Sequence, residues 1–279
     1  YSALLAGQFQ PGSEDNSGAG WDLNSVSRRE PKAYAFSVAE GWLLRDFNAA
    51  LVWNLDVSYD PRLPRLNNFS TSLADLSLRL YDAGQGANSL LQASLSEADN
   101  LEYIHLPGVI YPGQYTLEVE SAEARATEYA LAWFAPLDVP RFYDEWAYFA
   151  FQNATTDKIE PLLDPDGDGV VNLIEYASGM NPLAADADRL PSGENVTIEP
   201  NGNLSYDFSY FRRASARDLQ YRVGISTDLT SWDLSESSLQ TISVDPIDAD
   251  FEKVTVRHTA QPGAAAIFMQ LEIEEIEGL

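Results

Sequence analysis

Alternation of apolar and polar residues with a period of two runs through most of this chain, and it restricts the possible folds more than any other feature. In residues 51–57, Leu51, Trp53, Leu55 and Val57 fall on one face while Asn54 and Asp56 fall on the other. Leu76, Leu78 and Leu80 repeat the pattern, as do Tyr115, Leu117 and Val119 against Thr116, Glu118 and Glu120, and then Tyr129, Leu131 and Trp133. Half-buried β-strands read this way because successive side chains point to opposite faces of a sheet. Pairs such as Pro112-Gly113 punctuate the runs, and no amphipathic helix lies between Trp21 and Trp133; such spacing predicts a β-sandwich of jelly-roll type.

The period changes after Pro140. Phe142, Trp146, Phe149 and Ala150 recur at helical spacing, which predicts a short helix over 141–151. A polar stretch over 153–158 leads into an acidic loop, and 172–178 reads as a second short helix ended by Gly179, with Asn181-Pro182 beyond it. Past residues 184–191 alternation returns in Tyr206, Phe208 and Tyr210, in Leu219, Tyr221, Val223 and Ile225, in Val254 and Val256, and in Ile267, Met269, Leu271 and Ile273. The expected fold is therefore mainly β, with an N-terminal jelly-roll β-sandwich over 1–137 and a short helical EF-hand-like calcium module over 138–188. A second, smaller C-terminal β-sandwich follows over 189–279, with an acidic end at 272–279. Two cores suit 279 residues.

Charge narrows the function. Forty-three acids face 17 bases for a net charge of -26, a surface that repels nucleic acid and anionic membranes. It suits a secreted protein kept soluble in salty surroundings, where screening removes most self-repulsion. With no cysteine, disulfides, zinc-thiolate sites and thiol nucleophiles are excluded. No apolar run approaches the ~18 residues of a membrane span, and Tyr1 has no signal peptide ahead of it. The expectation is a mature product or excised fragment, secreted or extracellular, with the bacterial cell surface included and no insertion into a membrane.

The segment DPDGDGVVNLIE over 164–175 matches D-x-D-x-D-G-x5-E without gap or substitution. Calcium takes six to eight oxygens, and this spacing supplies them in order. Asp164, Asp166 and Asp168 offer side chains from loop positions one, three and five, and Val170 offers its carbonyl from seven. Asn172 acts from position nine, directly or through water, and Glu175 closes the site with both oxygens. Gly169 stands where the chain turns sharply. Four carboxylates packed this closely repel one another without a cation. Sensors generally pair two such loops and open a Met-rich groove, whereas this chain has one loop and two methionines, so the ion is expected to be architectural, a clamp at a joint between two β domains.

The loop resembles those of dockerins and thrombospondin type 3 repeats, in a single copy. The first domain resembles the pre-peptidase C-terminal domain family, jelly-rolls appended to secreted bacterial proteases, notably subtilisin-like ones. Gly20-Trp21-Asp22 with Tyr34 to Val38, LADLSLRLYDA from Leu73 to Ala83, and SLSEADNLEYIHL to Leu106 with PGQYTLEV and YALAW carry that likeness. It implies the fold but no ligands, because Ser77 stands where the family usually has a second acid in the Asp75 strand. The last domain, with YFRRASARDLQYRVGISTDLTSWD, resembles a small β module that follows such loops at the ends of large secreted proteins.

Catalysis is not expected of the chain by itself. The only histidines are His105 and His258, the latter in phase with Val254 and Val256 on an apolar face, and neither accompanies a G-x-S-x-G turn. A glycosidase needs two carboxylates at a set separation, a criterion that 43 acids meet too easily to discriminate. Three functions remain: an accessory C-terminal region of a secreted hydrolase, most simply a subtilisin-like serine protease; a carbohydrate-binding module presenting Trp21, Trp42 or Trp232; and a cell-surface adhesin or structural component. The corresponding partners are a catalytic domain of the same precursor, a glycan or a cell-surface ligand. Arg212 and Arg213, with Arg217 and Arg222 nearby, read either as surface arginines paired with acids such as Asp218 and Asp207 or as a clamp for an anion or a partner's carboxylate, the first being favoured. Asp99, Asn100 and Glu102 read either as a capped turn or as a second calcium site.

Overall fold

The computed structural model describes residues 14–15, 18–62, 68–84, 89–152, 158–214, 216–262 and 266–276. The chain divides into two compact units, Tyr1–Val139 and Pro140–Leu279.

The first unit is built from β1 (Glu14–Asp15), β2 (Ala19–Val26), β3 (Lys32–Val38), β4 (Leu43–Trp53), β5 (Asp56–Tyr59), β6 (Phe69–Ser72), β7 (Leu76–Asp82), β8 (Ser89–Ser94), β9 (Leu101–Ile110), β10 (Gly113–Ser121), β11 (Thr127–Phe134) and β12 (Leu137–Asp138). One sheet runs β2-β11-β4-β9, with β12 also pairing β4; the other runs β1-β3-β10-β7-β8. Apart from the parallel pair of β1 with β3, the ladders are antiparallel. Apart from the two-residue strands β1 and β12, four strands face four in this order, which makes a jelly roll, as the period of two predicts. Each strand gives one face to a shared core: Phe36, Leu78, Leu80 and Leu117 from one sheet meet Phe47, Leu51, Leu131 and Trp133 from the other. Phe36 stacks on Phe47 with centroids 5.5 Å apart. Trp53 and Trp133 are buried, as their phase requires, and Trp53 Nε1 donates to the Ala74 carbonyl at 2.9 Å. Leu55 and Val57, read as core positions, are exposed, because the strand breaks after Trp53 and β5 pairs only with β6.

The second unit holds α1 (Tyr143–Ala150), α2 (Asn172–Ser178), β13 (Ser192–Ile198), β14 (Leu204–Arg213), β15 (Leu219–Ser226), β16 (Gln240–Pro246), β17 (Phe251–Ala260) and β18 (Phe268–Glu275). A four-stranded sheet, β13-β14-β17-β16, and a ribbon, β15-β18, enclose Phe208, Tyr210, Val223, Val254 and Val256. Residues 272–275, read as an acidic tail, form the end of β18, with Glu272 opposite Arg222 and Glu275 opposite Leu219.

The two helices do not stand apart from this body. Tyr143, Ala147 and Phe151 from around α1, and Leu173, Tyr176 and Ala177 from α2, form one cluster with Leu219 of β15, and Tyr221 and Ile273 pack against it. The most buried stripe of α1 is thus Tyr143, Ala147 and Phe151; of the expected Phe142, Trp146, Phe149 and Ala150, Trp146 and Ala150 pack against the same cluster at its edge. The helix start has a local cause: the Glu145 carboxylate accepts the amides of Arg141 (2.7 Å) and Phe142 (3.3 Å), which holds Phe142 extended as the N-cap and starts the helix at Tyr143, two residues later than expected. α2 spans the expected residues and ends at Gly179 with φ +80°; a Cβ there would also lie 2.7 Å from the Phe251 ring, so both backbone and space require glycine. The polar segment 153–157 lies outside the described residues.

Arg213 departs from the expectation of a surface pair. It is buried, its guanidinium 4.6 Å from the ring centroids of both Tyr176 and Phe251, with Nε donating to the Tyr176 carbonyl. Asp218 is taken by Tyr143 N and Tyr176 Oη, and Asp207 by a forked pair of bonds from Arg257. Arg212 pairs with Glu252. Cross-strand register decides the pairs of Arg212 and Asp207, and the packing of the two helices decides the partners of Arg213 and Asp218; neither is written in the spacing of charges.

Candidate metal centre

The acidic loop is shaped by its own side chains. Asp164 accepts the amides of Gly167 (2.8 Å) and Gly169 (2.9 Å), Asp166 that of Asp168 (3.1 Å), and Asp168 that of Val170 (2.8 Å). These short-range turns curl the backbone around the carboxylates. Gly167 and Gly169 have φ +79° and +92°, values at which a Cβ is costly. The loop is anchored at its ends by Asn172 N on Leu163 O (2.8 Å) and Leu173 N on Pro161 O (2.9 Å).

Oxygens converge in two overlapping sets. Those of Asp164, Asp166 and Asp168 lie within 4.8 Å of one another, and so do those of Asp168, Glu175 and Asp186. Two oxygens bound to one calcium stand at most about 5 Å apart. Glu175 has no exposed surface, yet neither of its carboxylate oxygens receives a hydrogen bond, and the same holds for buried Asp166 Oδ2 and Asp186 Oδ1. Burial first, and then the charges of Asp166, Asp168, Asp186 and Asp164, push Glu175 up to about 7. Asp166 is raised by burial and by Asp168 and Asp164 as well. Asp164 is held below its ordinary value, since the amides of Gly169 and Gly167 outweigh its desolvation.

Buried carboxylate oxygens without donors are costly, and a hard divalent cation offsets both the missing bonds and the repulsion. The donors fit such an ion: they are all oxygens, as calcium prefers, with no sulfur or imidazole among them. Val170, whose carbonyl is the expected position-seven ligand, is buried. Asn172 gives its amide nitrogen to Lys158 O (2.8 Å) and Glu160 O (2.9 Å), and its buried Oδ1 receives no hydrogen bond. Asp186 is the residue that the motif does not contain. It lies eleven positions past Glu175 in an alanine-rich stretch, where only its repeat in Asp188 hints at a role.

No protein-family model matches the chain, and no curated protein does. Solved structures do. The pre-peptidase C-terminal domain of a Bacillus anthracis collagenase is similar at 12% identity and TM-score 0.31, over 46% of this chain and all of that one. Salmonella Typhimurium PliG, a periplasmic inhibitor of g-type lysozyme, is similar at 14% identity and TM-score 0.24, over 45% of this chain and 99% of its own. A cowpea mosaic virus empty-particle chain follows at 7% and 0.26, over 46% and 91%. At such scores none of the three carries a functional assignment.

The other candidates are placed as follows. Glu102 is fully buried and accepts Ser94 Oγ and Ser96 N, Asn100 donates its side-chain amide to Trp53 O, and Asp99 accepts Ser96 Oγ, so the local backbone amide is capped by Glu102 and not by Asp99 or Asn100. At Ser77, Arg79 donates to the hydroxyl and pairs with Glu120, which puts a guanidinium in that neighbourhood. His258 Nδ1 lies 3.0 Å from Ser238 O, while the Ser238 hydroxyl donates to Asp233, and His105 lies beside Asn48. Trp42 is 43% exposed. Trp21 is half-buried in a shallow groove with Leu23, Ala50, Val52, Ala130 and Ala132, and Trp232 packs beside Gly224. Among the described residues no helix is long and apolar enough to cross a membrane.

Proposed function

We propose that this chain is a non-catalytic accessory region of a secreted bacterial hydrolase, stabilised by one calcium ion held in its second unit. The observation that carries the reading is Glu175, buried without a hydrogen-bond donor among the carboxylates of Asp166, Asp168 and Asp186. Asp164, Asp166, Asp168 and Glu175 supply side-chain oxygens, with the Val170 carbonyl and Asn172 completing the set. The ion's chemistry is structural: it neutralises the loop and so permits α2 to pack through Tyr176 and Ala177 onto the β-sheets. The resemblance of the first unit's sequence to pre-peptidase C-terminal domains supports a protease, subtilisin-like, as the enzyme served.

Proteolysis tests the structural role. Lys158 and Arg189 bracket the site, and Lys158 is exposed. Trypsin is expected to cut after these residues much faster in chelator than in millimolar calcium; equal resistance in both conditions contradicts the reading.

A further inference from the structure

We infer that Asp186, which lies outside the twelve-residue loop, is a ligand of the same calcium ion, so that the metal fastens the segment leading to β13 as well as the loop itself. This rests on the calcium reading above. Asp186 is positioned from both sides. Its N–H donates to Asp168 Oδ2 (3.0 Å) and its Oδ2 accepts Asn181 N (3.2 Å), which leaves Oδ1 buried and without a hydrogen bond. Its carboxylate lies within 4.8 Å of those of Asp168 and Glu175.

Acids gathered at a surface do not by themselves make a site; the independent observation is Glu175, with no exposed surface and no donor on either oxygen. A fifth carboxylate, beside Asp164, Asp166, Asp168 and Glu175, gathered there without a cation adds repulsion with no compensating bond. With a cation it becomes a ligand brought from another part of the chain. Three residues further on, Arg189 donates to Ser178 O and lies over the Phe211 and Phe251 rings. Asp186 at the metal and Arg189 on the sheet together hold the 181–189 segment at two points.

Calcium titration of the full chain and of Asp186→Asn by calorimetry tests this, with Asp188→Asn as a control that removes the same charge nearby. One ion per chain is expected, with Asp186→Asn weakening it at least about tenfold, as loss even of a metal site's outer partner does, and Asp188→Asn, whose side chain is exposed, changing it less than about twofold, as solvent and salt screen exposed charges. Unchanged affinity in Asp186→Asn, or two ions per wild-type chain, overturns the inference while the calcium reading stands; no binding by the wild type overturns that reading itself. Hydrogen exchange on the wild type gives a measure independent of any variant's folding. Calcium is expected to slow exchange across 181–186 as well as 164–175, and protection confined to 164–175 overturns the inference.

Discussion

Replacing Tyr176 by alanine is expected to destabilise the second unit by about 3–5 kcal/mol, the usual cost of deleting a buried aromatic ring. Tyr176 has no exposed surface. Its ring lies 5.5 Å from that of Tyr143, edge-on, and 5.3 Å from that of Trp146, while the Arg213 guanidinium covers it at 4.6 Å. Its hydroxyl donates to Asp218 (3.0 Å) and lies 3.1 Å from Arg141 O, and burial, with Asp218 adding to it, keeps the phenol protonated well past the usual tyrosine range. Alanine leaves a cavity, a buried arginine with one of its two aromatic partners gone, and a buried Asp218 with one donor fewer. Thermal unfolding of the variant is expected roughly 10 °C below wild type for a unit of this size. Phenylalanine, which loses only the hydroxyl bond, is expected to cost about 1–3 kcal/mol. A loss under about 1 kcal/mol for alanine, below the cost of an ordinary buried deletion, would mean that α2 is not held by this cluster.

Glu175→Gln is expected to act with opposite signs in the presence and absence of calcium. Without the ion, wild-type Glu175 is a buried carboxylate repelled by Asp166, Asp168 and Asp186. Glutamine keeps the shape, removes the charge, and offers an N–H to the neighbouring carboxylates, so the variant melts a few degrees above wild type in chelator. In calcium the order reverses. An ion present at 100 times its dissociation constant stabilises the folded state by about 2.7 kcal/mol, and the variant, with one neutral oxygen in place of a bidentate carboxylate, forfeits most of that. Differential scanning calorimetry in both conditions reads the crossing. A variant less stable than wild type in both, with its calcium response intact, would remove Glu175 from the site.

These effects trace to residues of differing legibility. The jelly roll was readable because each strand buries one face, so Leu51, Leu78, Leu117 and Leu131 had to recur with period two. The loop was readable because a hard cation fixes its ligands at set intervals, and Gly179 marked the end of α2 because only glycine suits that left-handed cap. Helix α1 starts two residues later than its apolar spacing predicts, since an N-cap set by Glu145 outweighs the apolar count. Asp186 and Arg213 were not readable. The place of each depends on how distant segments pack, Asp186 by a hydrogen bond from its N–H to the Asp168 carboxylate across eighteen residues and Arg213 by the meeting of β14 with α2 and β17. Neither distance is constrained by local spacing.

The central claim is that one calcium ion completes the second unit, and calorimetric titration of calcium into the chelator-treated chain measures it most directly. The account predicts one saturable site per chain with a dissociation constant of about 10⁻³ M or tighter, and far weaker binding of magnesium, which demands a smaller octahedral shell. Absence of saturable binding at millimolar calcium, in a chain whose circular dichroism shows it folded, would contradict it.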